Sequence, residues 1–186
     1  MSKTQTTSKD ELLSEDIRRE IDEWVAKYPE EWKQSAVMAA LRVVQDAHEG
    51  SLTTELMDQV AAYLDMPPIA VYEVATFYSM YEHKPQGRHK ICLCTNVSCM
   101  INGSDNIYEH LRNRLGIGFG EVTEDGRFSI KEVECLGACA NAPMVQIGKD
   151  YYEDLTAESF AQLLDDLAAG TRNSATLGRV YLLYRR

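Results

Sequence analysis

At 186 residues the chain holds one compact domain plus an additional element and is too short for a large multidomain enzyme. Its 45% hydrophobic and 26% charged residues are those of a globular protein with a core, which excludes disordered and fibrous classes. A formal net charge of −10 lacks the basic footprint that nucleic acid requires, so a protein or small-molecule partner is expected.

Residues 1–9 are expected to be a flexible N-terminus, Ser/Thr/Lys-rich and without the apolar stretch of a secretory signal. No apolar run approaches the roughly 18 residues of a spanning helix, so no direct membrane insertion is expected. A helical domain is expected over 10–84. Its first helix carries Leu13, Ile17, Ile21, Trp24, Val25 and Tyr28 at helical spacing, with Ser8 and Glu11 as a capping box and Pro29 as the stop. The second runs from Ser35 to Glu49 and closes at Gly50, a residue suited to the left-handed region. Thr53 caps the third, with Leu52 and Met57 as a hydrophobic staple, and the helix continues through Val60 and Tyr63 to Leu64. Pro67 and Pro68 restart the chain into a short helix through Tyr72 and Ala75.

After Pro85 and Gly87 the periodicity changes, placing a second domain over 85–170. His89 to Cys94 reads as a strand, with Ile91 and Leu93 on one face and Cys92 and Cys94 on the other. Ser104 to Leu115 reads as a capped helix ended by Gly116. Phe128 and Ile130 mark a strand after an Asp125-Gly126 turn, and Met144–Ile147 with Tyr151-Tyr152 form a hairpin. Thr156 caps a final helix through Phe160, Leu163, Leu164 and Leu167 to Gly170. Strand, helix, strand, hairpin, helix is the order of a small α+β sandwich. The tail, 171–186, holds four arginines, no acid and the apolar run Val180–Tyr184, which predicts a contact rather than a solvated end.

The chemistry is concentrated in the cysteines. Five is an odd number, and their uneven spacing favours metal or redox use in a reducing compartment over a disulfide framework. Cys94 and Cys99 are separated by four residues and Cys135 and Cys139 by three, which makes two thiolate pairs. Zinc and a [2Fe-2S] cluster both accept four thiolates, so spacing alone leaves zinc, iron–sulfur and no metal open. No third cysteine follows Cys99 closely, which excludes the plant-type ferredoxin pattern.

The segments Val74–Tyr81, Cys94–Met100 and Glu134–Met144 narrow this choice. Together they resemble the family of E subunits of bacterial NADH-quinone oxidoreductase, respiratory complex I, in order and spacing over about residues 20 to 168. The resemblance implies an N-terminal helical region followed by a thioredoxin-like α/β sandwich carrying one [2Fe-2S] cluster. It implies Cys94, Cys99, Cys135 and Cys139 as the iron ligands. It further implies an electron-transfer subunit that exchanges single electrons with FMN on an adjacent flavin-bearing, NADH-binding subunit, off the main path to quinone. Other peripheral-arm subunits are implied as partners, with a cytoplasmic location peripheral to the inner membrane. An equivalent diaphorase subunit of an NAD-linked hydrogenase or formate dehydrogenase is the alternative, and a zinc-stabilised interaction module is the rival from another class. The tail beyond Gly170 departs from the family.

Other residues carry smaller expectations. Cys92 is a rival ligand on the Cys94 face, read more simply as a small buried hydrophobe. Gly137 and Ala138 let backbone amides approach sulfur, and Gly137 equally suits a tight turn. Pro143 sits where thioredoxin-like folds often hold a cis proline. Gly116-Ile117-Gly118-Phe119-Gly120 follows a helix and reads as a helix stop, not a dinucleotide loop. His48, His83, His89 and His110 have no paired nucleophile at motif spacing and read as structural or solvated. No C-x-x-C is present, so thioredoxin-type exchange is not expected. Phe77, Tyr78, Met80 and Tyr81 read as core or interdomain packing. Glu132 and Glu134 predict a low reduction potential, because acidic neighbours disfavour added negative charge.

Overall fold

Residues 12–171 are described by a computed structural model; the segment 1–9, the Ser8 and Glu11 box and the tail beyond Thr171 lie outside the described residues. The chain divides between Pro85 and Gln86 into two units.

The first unit is helical because its apolar residues recur on one face of each segment. Helix α1 spans Glu15–Val25, and Ser14 caps it, its side chain accepting from the Ile17 N–H. Ile21 and Leu13 are buried, whereas Trp24 and Tyr28 are not, and Lys27 lies over the Trp24 ring at 3.3 Å. Pro29 opens a 3-10 segment, Glu30–Ala36, kinked at Trp32 (φ −115°, ψ 29°), so α2 covers Val37–Ala47 and starts two residues later than the pattern suggested. Helix α3 (Thr54–Tyr63) has Thr53 as its cap, and α4 (Pro68–Phe77) places Pro68 in its first turn, where the missing N–H costs nothing. Leu41, Val44, Leu52, Val60, Leu64, Val71 and Ala75 form the core of this unit.

The segment after α4 folds back onto α2. Tyr81 donates its hydroxyl to the Met38 carbonyl at 2.8 Å, and the Gln45 amide both donates to the Met80 carbonyl and accepts from the Glu82 N–H. Core packing holds for Tyr81 alone in this stretch. Phe77 is 81% exposed and Tyr78 and Met80 are also exposed, because α4 ends at Phe77 and Tyr78 turns to extended backbone.

The second unit is a four-stranded sheet in the order β2-β1-β3-β4. Strand β1 (His89–Cys94) runs parallel to β2 (Phe128–Val133) and antiparallel to β3 (Val145–Ile147), which forms a hairpin with β4 (Asp150–Tyr152). Two helices, α5 (Val97–Ile101) and α6 (Ser104–Leu115), cross over between the parallel strands, and α7 (Ala157–Ala168) follows the hairpin. A parallel crossover joined to an antiparallel hairpin and a helix is the small α+β sandwich read from the element order, and it agrees with the thioredoxin-like fold that the resemblance implies.

Ile91, Leu93, Ile130, Val145 and Ile147 meet Ile107 and Leu111 of α6 and Phe160, Leu163 and Leu164 of α7 in one core. Cys92 and Ser129 on the other face are also buried, so β1 is shielded on both sides, as a parallel strand usually is. Gly103, not Ser104, is the residue before α6, and Gly116 closes that helix at φ +70°. Thr156 and Ser159 complete a reciprocal capping box on α7.

Candidate metal centre

Cys94, Cys99, Cys135 and Cys139 lie towards one end of the sheet, where β1 and β2 finish. β1 delivers Cys94 at its last position, where the Cys94 N–H reaches the Met144 carbonyl at 3.4 Å and its thiol donates to the Glu134 carbonyl at 3.7 Å. Asn96 caps α5 by accepting from the Val97 N–H, and that short helix holds Cys99. Cys94, Cys99 and Met144 are buried together, bordered by Val133, Leu136, Ala138 and Ala142. Cys135 lies just after β2, and Cys139 opens a 3-10 turn, Cys139–Asn141; both are exposed.

The loop bearing the second pair is tied down at several points. The Tyr151 hydroxyl donates to the Leu136 carbonyl at 3.0 Å, and the Asn141 amide donates to Asp154 at 2.9 Å. Asp154 and Leu155 return backbone bonds to the Asn141 and Pro143 carbonyls. Gly137 directs its N–H at the Cys135 sulfur from 3.4 Å. Its φ of +79° demands glycine, while a Cβ there would meet nothing within 4 Å, so conformation rather than space fixes the residue. Both sequence readings of Gly137 therefore hold. The Ala142-Pro143 bond is cis.

Burial pushes the Cys99 thiol up to about 11, reinforced by a hydrogen bond with the Cys94 thiol and by nearby Cys94 and Cys139 charge, while the Met144 backbone N–H acts in the opposite sense. Cys99 is thus protonated in the metal-free fold, and a metal must displace its proton. Among the described residues, no three His, Cys, Asp or Glu side chains are gathered for a single metal ion. The thiols present a hydrogen-bonded pair, Cys94 with Cys99, and a second pair on the 135–139 loop. A two-iron cluster divides four soft sulfur ligands in this way, two to each iron, so the donor set fits it.

The remaining sequence candidates lie elsewhere. Cys92 pairs in register with Gln146 and Lys131 inside the sheet and is not part of the Cys94–Cys99–Met144 cluster. Gly116 to Gly120 is a helix stop, with Phe119 stacked on Tyr108 at 4.1 Å. His48 and His83 bond the Val44 and Ala75 carbonyls within the helical unit. Glu132 accepts from the Thr95 hydroxyl at 3.0 Å beside Cys94. Sequence reasoning missed α5 and the Met144 amide. Asn96 before a short apolar turn was the available signal for the helix, whereas a backbone N–H leaves no mark in a sequence.

The thioredoxin-like [2Fe-2S] ferredoxin family matches residues 21–168, which include all four cysteines of the two pairs. This chain belongs to that family. Among its relatives, the NADH-quinone oxidoreductase E subunit of Rickettsia bellii is 46% identical over 155 residues, 83% of this chain and 89% of the relative. A second relative, one of the NADH-quinone oxidoreductase E subunits of Rhizobium meliloti, is 43% identical over 84% of this chain and 91% of its own. The mitochondrial NADH dehydrogenase [ubiquinone] flavoprotein 2 of Dictyostelium discoideum is 42% identical, with 79% of this chain matching 60% of that protein. Among solved structures, a chain of the air-oxidised NAD+-reducing [NiFe]-hydrogenase aligns with a TM-score of 0.65 at 20% identity, covering 76% of this chain. This chain spans only 24% of that one, so the likeness extends to the fold alone. The family's description names a [2Fe-2S] ferredoxin, and the matched residues include both thiol pairs.

Proposed function

We propose that this chain is an electron-transfer subunit of the NADH dehydrogenase module of an NADH-quinone oxidoreductase, with Cys94, Cys99, Cys135 and Cys139 holding one [2Fe-2S] cluster. The observation that carries the reading is the thiol set itself: a buried, hydrogen-bonded Cys94–Cys99 pair with Cys139 close enough to influence Cys99. Relatives that are E subunits of NADH-quinone oxidoreductases match over nearly their whole length, which supports that host. When bound, the cluster supplies one-electron chemistry.

The chain's own residues hold and tune that centre. Cys94, Cys99 and Met144 exclude water from one side, and the exposed Cys135–Cys139 loop leaves the other side open to a partner. The Gly137 and Met144 N–H groups stabilise thiolate charge at Cys135 and Cys99. FMN and NADH are assigned to a neighbouring flavin-bearing subunit, other peripheral-arm subunits complete the partners, and the location is cytoplasmic and peripheral to the inner membrane. Among the described residues no helix is long and apolar enough to cross a membrane. The diaphorase alternative draws on a likeness of fold at 20% identity and is the weaker reading.

Affinity purification of the tagged full chain from gently solubilised cells tests the host. Recovery with a flavin-bearing subunit and NADH:quinone activity supports the proposal. Recovery with hydrogenase or formate dehydrogenase subunits instead transfers the chain to the diaphorase alternative, and recovery alone with zinc overturns both.

A further inference from the structure

The end of the sheet opposite the cysteines holds a second feature. His89 and Cys94 are five residues apart on β1, which puts about 17 Å of strand between the two ends. A cavity of about 440 Å³ opens there, with Arg88, His89 and Arg127 on one side and the last turn of α7, from Leu167 to Gly170, on the other. That volume lies within the roughly 300–1,000 Å³ of small-molecule sites and exceeds what a bare ion fills.

The cavity's charged groups are arranged, not merely adjacent. Arg127 is fixed on two sides: one guanidinium nitrogen donates to the Ala168 carbonyl at 3.4 Å, and Nε faces Asp125 at 3.4 Å. Asp125 is itself held by the Thr123 hydroxyl and the Arg127 N–H, so it serves to orient that arginine. Arg127 thus covers the Ala168 carbonyl and offsets part of the negative end of the α7 dipole. Arg88 is anchored through its backbone N–H on the Gly126 carbonyl, and its guanidinium makes no ion pair among the described residues. The His89 ring is buried against Phe128, and its pKa is lowered by burial first and then by the nearby Arg88 and Arg127 charges. In a chain of net charge −10, this is a local reversal of sign.

We propose that this cavity is a binding site for a small molecule bearing a phosphate group, gripped by Arg88 and Arg127. The N–H donors of two guanidiniums, Arg127 sharing its charge with Asp125, suit the three acceptor oxygens of a phosphate monoester better than the two of a carboxylate side chain. The apolar turn at Leu167–Ala169 then faces the organic remainder of the ligand. The site is separate from the cysteine end and independent of the electron-transfer reading.

The test uses the full-length, cluster-loaded chain at constant ionic strength. Inorganic phosphate and glycerol 3-phosphate are titrated while the backbone amides of Arg88, His89, Arg127 and Ala169 are followed by nuclear magnetic resonance. Saturable shifts confined to these residues, tighter for the ester, are expected. Arg88→Ala should weaken binding at least tenfold, while Arg19→Ala, an exposed charge in the helical unit, should leave it unchanged. An unsaturable response, equal binding of acetate, or an undiminished affinity in Arg88→Ala would overturn the proposal. Loss of binding once the chain is assembled with its partner subunits would also overturn it, by showing that the cavity is closed in the complex. The paramagnetic resonance signal of the cluster, unchanged in Arg88→Ala, keeps a failure here distinct from a failure of the electron-transfer reading.

Discussion

Gly87→Ala separates steric fit from conformational freedom. Gly87 is buried where the chain enters β1, and a Cβ there would stand 2.3 Å from the Phe128 carbonyl carbon, 2.6 Å from the Ser129 nitrogen and 2.7 Å from the Phe128 oxygen. All three are backbone atoms of β2, so no side chain can swing away. Relief requires the β1 lead-in and β2 to part by about 1 Å, which disturbs the His89–Phe128 and Lys90–Ser129 pairs of the parallel register. Overpacking of this kind costs about 3 kcal/mol, a large part of the roughly 5–15 kcal/mol that holds a domain folded. With a urea m-value of about 1–3 kcal/mol/M, the unfolding midpoint should fall by about 1–3 M, read by circular dichroism. Gly116→Ala is the comparison: at φ +70° with nothing within 4 Å of the added carbon, it should lose only the left-handed penalty of about 1–2 kcal/mol. A Gly87→Ala midpoint equal to that of the parent, or a smaller loss than in Gly116→Ala, would refute the close approach.

Thr156→Ala removes one half of the α7 capping box and should cost about 1 kcal/mol, measured in the same urea assay; no loss would mean that the box contributes nothing. In the metal-free chain at pH about 8, iodoacetamide should modify exposed Cys135 and Cys139 well before Cys99, whose thiol is buried and pushed up to about 11. Equal labelling by mass spectrometry would contradict that burial. The same shift makes a pH statement: since the folded thiol titrates above its usual value, the metal-free fold keeps the Cys99 contribution below pH about 9 and loses it as pH rises towards about 11. Unfolding midpoints that do not fall over that range would speak against it. A reduction potential no higher than the roughly −400 mV of plant-type ferredoxins is expected with Glu132 and Glu134 beside the ligand-bearing strands, and a clearly higher value in redox titration would contradict it.

Much of the fold was legible because its signals are local. Alternating residues in His89–Cys94, the left-handed closure at Gly116 and the Thr156 cap each declare an element boundary within a few positions. The errors arise where long-range packing decides. Trp24 and Tyr28 fit the apolar stripe of α1 but end up exposed, and Phe77 follows a run of apolar residues yet emerges at the end of α4. The 3-10 segment before α2 was hidden because Pro29 and Trp32 act through backbone angles rather than periodicity. At the site, the cysteines were visible as two spaced pairs. Their union through Met144, and the Tyr151 and Asp154 tethers of the 135–139 loop, depended on residues distant in sequence.

The most direct test of the electron-transfer reading is iron and acid-labile sulfide analysis of the anaerobically purified chain, paired with electron paramagnetic resonance before and after dithionite, on the parent, Cys99→Ser and Cys92→Ser. Two irons and two sulfides per chain are expected in the parent, silent when oxidised and giving one S = 1/2 signal when reduced. Cys92→Ser should retain that signal, and Cys99→Ser should lose or alter it. Zinc in place of iron, or an unaltered signal in Cys99→Ser, would contradict the assignment of the cluster to these four cysteines.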